Sequence, residues 1–474
     1  MVQKDKLWLL PLIPLILTTT ILSFSRGSKL IDTVMDDKQD VCVDSGSRQS
    51  SRMSLGEKLL ARDYQNLQSQ SMTALYEGVA AFARCEFSTA TKKLQGSLNI
   101  SKNNPEALIY RNNAVAIAQK HFKIAVSVPL ANKPSIAREI LRGVAQAQTE
   151  INHQGGIEQK LLLVQIVSDD NDPVIVRQVA QKLAEDPSIL AVVGHQNSNS
   201  SLAASEIYQK EGLLMISPTS ASTELSGIGS YILRTTPSVA LMANSLTDYA
   251  SVSSFSKIVL CFDSESSASN SFVREFILEL ERDGGKIARV KCDLAQEDLS
   301  PQSIVEQAIA QNADALLLAS STDEISKAIA IARANRQRLP LLGSYSLYTH
   351  KTIEQGKNDV VGMVLPSPWI PKTDFDSDFS QTAIDYWGGK VNWRTAMAYD
   401  ATKAIIQGLK YSHTRSELQS TMTQPDFKVN GATGVIRFNQ SDRLGQAELA
   451  YIKKSGKNSE QYQFAPLKFN INPN

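Results

Sequence analysis

The sequence predicts an α/β protein of two lobes, each a parallel sheet wrapped by helices, with a cleft between them. Three observations predict it. From Lys123 onward, short apolar runs alternate with helical patterns across short loops, which calls for parallel strands joined by helical crossovers. The alternation comes as two similar sets in tandem, one ending near Arg234 and the other running to Leu365. Within the first set, Gly194-His195-Gln196-Asn197-Ser198-Asn199-Ser200-Ser201 and Ser217-Pro218-Thr219-Ser220-Ala221-Ser222 follow consecutive strand patterns. Both hydroxyl-rich loops therefore fall at the same edge of an apolar sheet, where a small polar solute is held.

The N-terminus comes first in the chain and reads differently. Lys4 and Lys6 precede Leu7 to Phe24, a run without charge that is interrupted by Pro11 and Pro14 and closed by Arg26. A basic start followed by an apolar centre is the pattern of a signal peptide, with Ser23-Phe24-Ser25 as a weak cleavage site. The run also nearly reaches the roughly 20 apolar residues of a membrane span. Residues 1–26 are thus expected to form an apolar helix that is either a cleaved signal or a retained anchor, with residues 7–24 in the inner membrane. Either outcome places the bulk of the chain in the periplasm or otherwise outside the cytoplasm.

Residues 27–65, rich in Ser, Asp, Gln and Arg, read as linker. Residues 66–120 turn helical: Leu75, Val79, Phe82 and Ala83 share one face, Phe87, Ala90, Leu94 and Leu98 another, and Pro105 opens a third helix through Tyr110 and Ala114. Gly78-Val79-Ala80-Ala81-Phe82, Cys85-Glu86-Phe87, Ala90, Leu94, Leu98 and Asn104-Pro105-Glu106-Ala107 resemble one tetratricopeptide unit. Such units are stabilised by stacking on neighbours, so a single one leaves an apolar face. Either the following domain or a protein partner covers it.

The first α/β set places strands at Lys123–Val128, Leu161–Val167, Ile189–Val193, Leu213–Ile216 and Tyr231–Arg234, with helices at Ser135–His153 and Pro173–Glu185. The second places strands at Lys257–Phe262, Ile287–Cys292, Asp314–Ala319, Leu341–Gly343 and Gly362–Leu365, with helices near 269–283, 301–312 and 323–335.

Composition narrows the function. At 474 residues, 42% hydrophobic and 20% charged, the chain is globular with room for two or three cores. Lys plus Arg number 49 against 48 Asp plus Glu, and no basic stripe interleaves with aromatics, which argues against a nucleic-acid partner. Of the four cysteines, Cys42 lies in the linker and Cys85 in a helix, while Cys261 and Cys292 each end a β pattern; spacing leaves their pairing open, and buried free thiols are expected. The five histidines are scattered without metal-ligand spacing, so no metal site is expected. His195 reads as a structural ligand of its loop. Asp169-Asp170-Asn171-Asp172 lacks the glycine and distal glutamate of a calcium loop and reads as the cap of the helix opened by Pro173. No nucleophile elbow or phosphate loop is present, and neither an enzyme nor a cofactor is expected.

The segments Val193-Gly194-His195, Ser205-Glu206-Ile207-Tyr208, Glu211 through Pro218, Glu224-Leu225, Asp169 through Pro173 and Ala398-Tyr399-Asp400-Ala401 resemble the leucine/isoleucine/valine-binding proteins, in order from about Ile124 to Lys454. The resemblance implies the type I periplasmic-binding fold, with lobe 1 from 121–247 plus 369–434 and lobe 2 from 248–368 plus 435–474. It implies crossings near 248, 368 and 434 that act as the hinge, and a non-enzymatic role in capturing solute for ABC permease subunits. Its carboxylate-binding hydroxyl falls on Ser198, its ammonium-accepting carbonyl on Thr219 and its threonine hydroxyl on Ala221, with Ser220 or Ser222 as the neighbouring substitute. Its tyrosine falls on Ser321 and its ammonium-pairing glutamate on Tyr345. Its apolar wall position falls on Gln196 and its aromatic wall position near Arg394.

A desolvated ammonium without a carboxylate is costly, so tyrosine in place of glutamate points to a polar ligand with an anionic or amide group. Asp263 or Asp323 is the alternative source of the missing charge. The expected function is an extracytoplasmic solute-binding protein that closes on an amino acid or a related amide or carboxylate. The alternative is a membrane-anchored sensor or assembly module that signals through its helical segment.

Overall fold

The computed structural model describes residues 51–62, 67–371, 378–456 and 461–468. The expected signal or anchor, and most of the expected linker, lie outside the described residues.

Lobe 1 is a six-stranded sheet. Strand β1 (Met53–Ser54) is its edge, followed in space by β3 (Leu161–Ser168), β2 (His121–Val128), β4 (Ile189–Val193), β5 (Leu214–Ser217) and β6 (Ile232–Arg234). All neighbours are parallel except β1, which runs antiparallel to β3. Strand β3 is buried along its whole length, as a strand covered on both faces must be. The composition-based linker is corrected here. Met53 and Leu55 are each 3% exposed, because these apolar residues complete the sheet edge and the core beneath it.

Helices α1 (Ser69–Ala83) and α2 (Phe87–Ile100) form an antiparallel pair, and α3 (Pro105–Ala116) joins them to lobe 1. The joint is a buried amide network. Asn113 donates to the carbonyls of Leu55 and Val164, both at 2.7 Å, and accepts from the Val164 amide at 3.0 Å and from Gln148 Nε2 at 2.8 Å. Asn112 donates to Thr149 at 2.7 Å. Gln148 and Thr149 belong to α4 (Pro134–His153), so the open face of the helical segment is covered by lobe 1 itself.

Helices α5 (Pro173–Glu185) and α6 (Ser198–Glu211) complete the first set. Asp172 caps α5, accepting from Val174 and Ile175 at 2.8 and 3.1 Å.

Lobe 2 is a seven-stranded sheet in the order β17 (Tyr462–Pro466), β16 (Glu448–Lys454), β11 (Val364–Ser367), β10 (Leu341–Gly343), β9 (Ala315–Ala319), β7 (Lys257–Phe262) and β8 (Lys286–Ile287). The two C-terminal strands are antiparallel additions to a parallel sheet. The expected strand Ile287–Cys292 shrinks to Lys286–Ile287, because the Gln311 side chain bonds both the amide and the carbonyl of Arg289 at 2.8 Å, in place of a neighbouring strand. Past that point the chain bends back, Cys292 meets Cys261, and the two form a disulfide. The free-thiol expectation is thereby corrected, and Cys85 is disulfide-bonded as well.

The crossings shift from their expected places. Helix α7 (Val239–Val252) packs on α8 (Ser267–Arg282), β11 and β16, so the first crossing is residues 235–238 rather than 248. The second leaves β11 and reaches α13 (Trp393–Leu409), which lies along α4 so closely that a Cβ on Gly143 would sit 2.3 Å from the Thr395 carbonyl. The third follows the hairpin of β14 (Phe438–Asn439) and β15 (Asp442–Arg443), later than 434, because β15 packs beside β6 of lobe 1. Arg443 ties two crossings together: Nη1 donates to the Thr235 carbonyl at 3.3 Å and to the buried Asp400 carboxylate at 3.1 Å.

Candidate functional site

The loops that leave the strand ends of both sheets face each other across a cavity of about 390 Å³. On the lobe 1 side the wall is Gln196 to Asn199 and Thr219, with Asn132, Lys133 and residues 170–173 at its rim. The turn into α6 needs Gly194. Its φ is +150°, and a Cβ would meet the Ser127 carbonyl at 2.8 Å. Behind the turn, the buried Asp169 carboxylate accepts from Ser127 at 2.9 Å and contacts His195 Nδ1 at 2.6 Å, while His195 Nε2 faces the Tyr208 hydroxyl at 3.2 Å. His195 is fully buried and acts as a brace for the loop.

Ser198 opens α6. Asn197 caps the helix by accepting from the Ser200 amide at 2.7 Å, and the Ser198 hydroxyl accepts from the Ser222 amide at 3.1 Å. Its hydroxyl proton and the Ser198 and Asn199 amides of α6 remain to meet an anion. The Thr219 hydroxyl donates to the Gln196 carbonyl at 2.5 Å, and Gln196 Oε1 accepts from Asn171 Nδ2 at 2.7 Å.

Lobe 2 contributes Asp263, Glu265, Ser266, Ser269, Phe272, Ser320 to Glu324 and Ser344 to Ser346, and α13 contributes Trp393 and Arg394. Asp263 is 5% exposed, and one of its carboxylate oxygens accepts from the Glu265 amide at 3.1 Å. The Tyr345 ring lies 5.7 Å from that of Trp393. Burial pushes the Tyr345 hydroxyl up to about 12, against the opposing pull of the Arg394 and Arg234 guanidiniums and the Ala221 amide. It therefore keeps its proton at neutral pH. Arg394 is 2% exposed and stacks its guanidinium 4.3 Å above Trp393. Nη1 donates to the Tyr348 carbonyl at 2.9 Å, and Nε has no partner. Burial brings its pKa down to about 10, so it still carries its charge at neutral pH.

The lobes touch on both sides of the cavity. Lys133 pairs with Asp323 at 2.5 Å. Asn199 donates to the Glu265 carbonyl at 2.8 Å and accepts from the Ser267 amide at 2.9 Å, and Ser222 bonds Ser267 and Ser271 at 2.7 and 2.9 Å. The N-termini of α6 and α8 thus meet across the cleft.

The structure brings Gln196, Ser198, Thr219, Ser321, Tyr345 and Arg394 to one cavity. Ser220 and Ala221 do not line it. Ser220 is turned inward to Ser201 at 2.8 Å and the His195 carbonyl at 3.2 Å, and Ala221 lies behind the wall with no exposure. Both acids considered for the missing charge line the cavity, and Asp323 is held there by Lys133. Trp393 lines the cleft, while Trp369 packs edge-on to Phe379 at 6.0 Å. Sequence reasoning missed Ser344 and Ser346, whose hydroxyls are tied to the Ser320 carbonyl. Lone serines after short strands carry no distinguishing pattern.

Two parallel-sheet lobes, three crossings and a polar cavity between facing strand ends define a bilobal binding protein. The chain belongs to the periplasmic binding protein family, whose model matches residues 122–456. Among curated proteins it is similar to the Leu/Ile/Val-binding protein of Escherichia coli (strain K12), 38% identical over 135 residues, which is 27% of this chain and 35% of that protein. It is also similar to the leucine-specific-binding protein of Salmonella typhimurium (strain LT2), 43% identical over 94 residues, 20% of this chain and 25% of that one. These matches thus span about a third or less of the relatives' own length. Among solved structures, a leucine binding protein from Thermotoga maritima shares the fold, with a TM-score of 0.63 and 20% identity, covering 72% of this chain and 97% of that one.

Proposed function

We propose that this chain captures a small polar solute outside the cytoplasm, by closing its lobes on an amino acid or a related amide or carboxylate, and hands it to ABC permease subunits. One observation carries the reading: the Ser198 turn and the lobe 2 serines face one cavity across a three-crossing hinge. The relatives' names support an amino-acid-like ligand. In that reading the solute's carboxylate meets Ser198 and the α6 amides, and an ammonium meets the Thr219 carbonyl and Asp263. The site performs no covalent step.

A thermal-shift screen of amino acids, amides and carboxylates, followed by small-angle scattering, tests the reading. At 100 times Kd a ligand of the folded state adds about 2.7 kcal/mol of stability. The expected result is a raised Tm with a smaller radius of gyration; a panel without any shift defeats it. A sensor role is the second reading, and the buried Asn112 and Asn113 network that locks the helices to lobe 1 favours it. It requires a mature chain that retains residues 7–24 in the membrane fraction, which N-terminal mass determination measures.

A further inference from the structure

We infer that the cleft selects a solute with two carboxylates, one on the Ser198 turn and the other on Arg394, an inference that rests on the solute-capture reading above. Arg394 is a charged side chain with 2% exposure, lining the cavity, and of its N–H groups only Nη1 has a protein acceptor among the described residues. The carboxylate that acts on it, Glu139, is outside the cleft wall and is taken by Arg142 and Thr395, both at 2.5 Å. A desolvated guanidinium with open donors is an incomplete pair, and the carboxylate fork is the group that fits it.

The cavity lining also carries Asp170, Asp172, Asp263, Glu265, Asp323 and Glu324, so the case for a second anion rests on the groups next to Arg394. Tyr345 stands beside Arg394 with its proton retained, so it is a donor to the same oxygen atoms. Arg234, which also acts on Tyr345, is already satisfied by Asp442, the Ser222 carbonyl and Ser226, which leaves Arg394 as the guanidinium with donors to spare. The N-termini of α6 and α8 add positive potential from both lobes. Asp263 stands on the lobe 2 wall and suits an amino group carried between the two carboxylates, so acidic amino acids and plain diacids both belong to the class.

Calorimetry on the full chain with glutamate, aspartate, glutarate and succinate against leucine, glutamine and asparagine tests the inference. The best diacid is expected to bind at least about 10-fold more tightly than any ligand with a neutral side chain. Arg394→Met is expected to weaken the diacid about 30-fold or more, and Arg394→Lys less. Tyr345→Phe, which keeps the ring against Trp393, serves as a second variant should Arg394→Met fail to fold, with an expected loss of about fivefold. Tighter binding of leucine or glutamine than of every diacid overturns the inference and leaves solute capture standing. Diacid affinity unchanged in both Arg394→Met and Tyr345→Phe also overturns it. No binding by any member of the panel defeats the capture reading, and this inference with it.

Discussion

Arg394→Met should make the ligand-free protein more stable. Burial brings the guanidinium from 12.5 down to about 10. Holding it charged in the folded state therefore costs about 3 kcal/mol, at 1.36 kcal/mol for each pH unit of displacement. The folded state binds this proton more weakly than the unfolded chain, so the penalty is present in full below pH 10 and fades as the pH rises from about 10 towards 12.5. Methionine removes the penalty. It also removes the stacking on Trp393, worth about 0.5–1 kcal/mol, and the bond to the Tyr348 carbonyl, worth about 1 kcal/mol. The balance is a gain of about 1 kcal/mol, or roughly 2–4 °C in Tm for a domain of 150–250 residues. Scanning calorimetry at pH 7 without ligand measures it. A Tm lowered by several degrees would refute the reasoning, since it would mean that Arg394 earns its place by packing rather than by awaiting an anion.

Other expectations follow from the same geometry. Arg443→Met leaves the Asp400 carboxylate buried and unpaired, and should lose about 3–5 kcal/mol in urea titrations. Burial already holds Asp400 above the usual carboxylate range. Its folded form therefore binds a proton more tightly than the unfolded chain does, and with the Arg443 charge removed the variant's stability should fall as the pH rises through and above the usual carboxylate range. Replacing Cys261 and Cys292 by serine opens a bridge of sequence separation 31 and should lower stability by about 3.5 kcal/mol, measured against the oxidised wild type. Lys133→Ala breaks an interlobe pair that is half-exposed on the Asp323 side, so ligand Kd should rise only about two- to fivefold, and the difference should vanish at high salt.

The parallel strands were legible because each is a short, nearly unbroken apolar run. Ile189–Val193 and Lys257–Phe262 have the same bounds in sequence and structure. The short strands between Val429 and Ile436 were not, since β12 (Val429–Gly431) and β13 (Gly434–Ile436) are three residues each, with mixed exposure and no alternation to read. In the site, strand-end loops such as Ser198 and Thr219 follow from the βα pattern. The inward turn of Ser220 depends on which neighbour, Ser201 or the cavity, takes its hydroxyl, and a string of adjacent serines does not encode that choice. The crossing near 248 was misplaced because α7 carries Met242, Leu246 and Ala250 as apolar faces that suit either lobe until the sheet they cover is known.

The Asn113 amide serves as a short strut between a helix and a sheet strand, and it makes the two halves of the molecule unequal partners in any motion. In the proposed closure, helices α1 to α3 therefore keep their place on lobe 1, and lobe 2 is the part whose position changes relative to them.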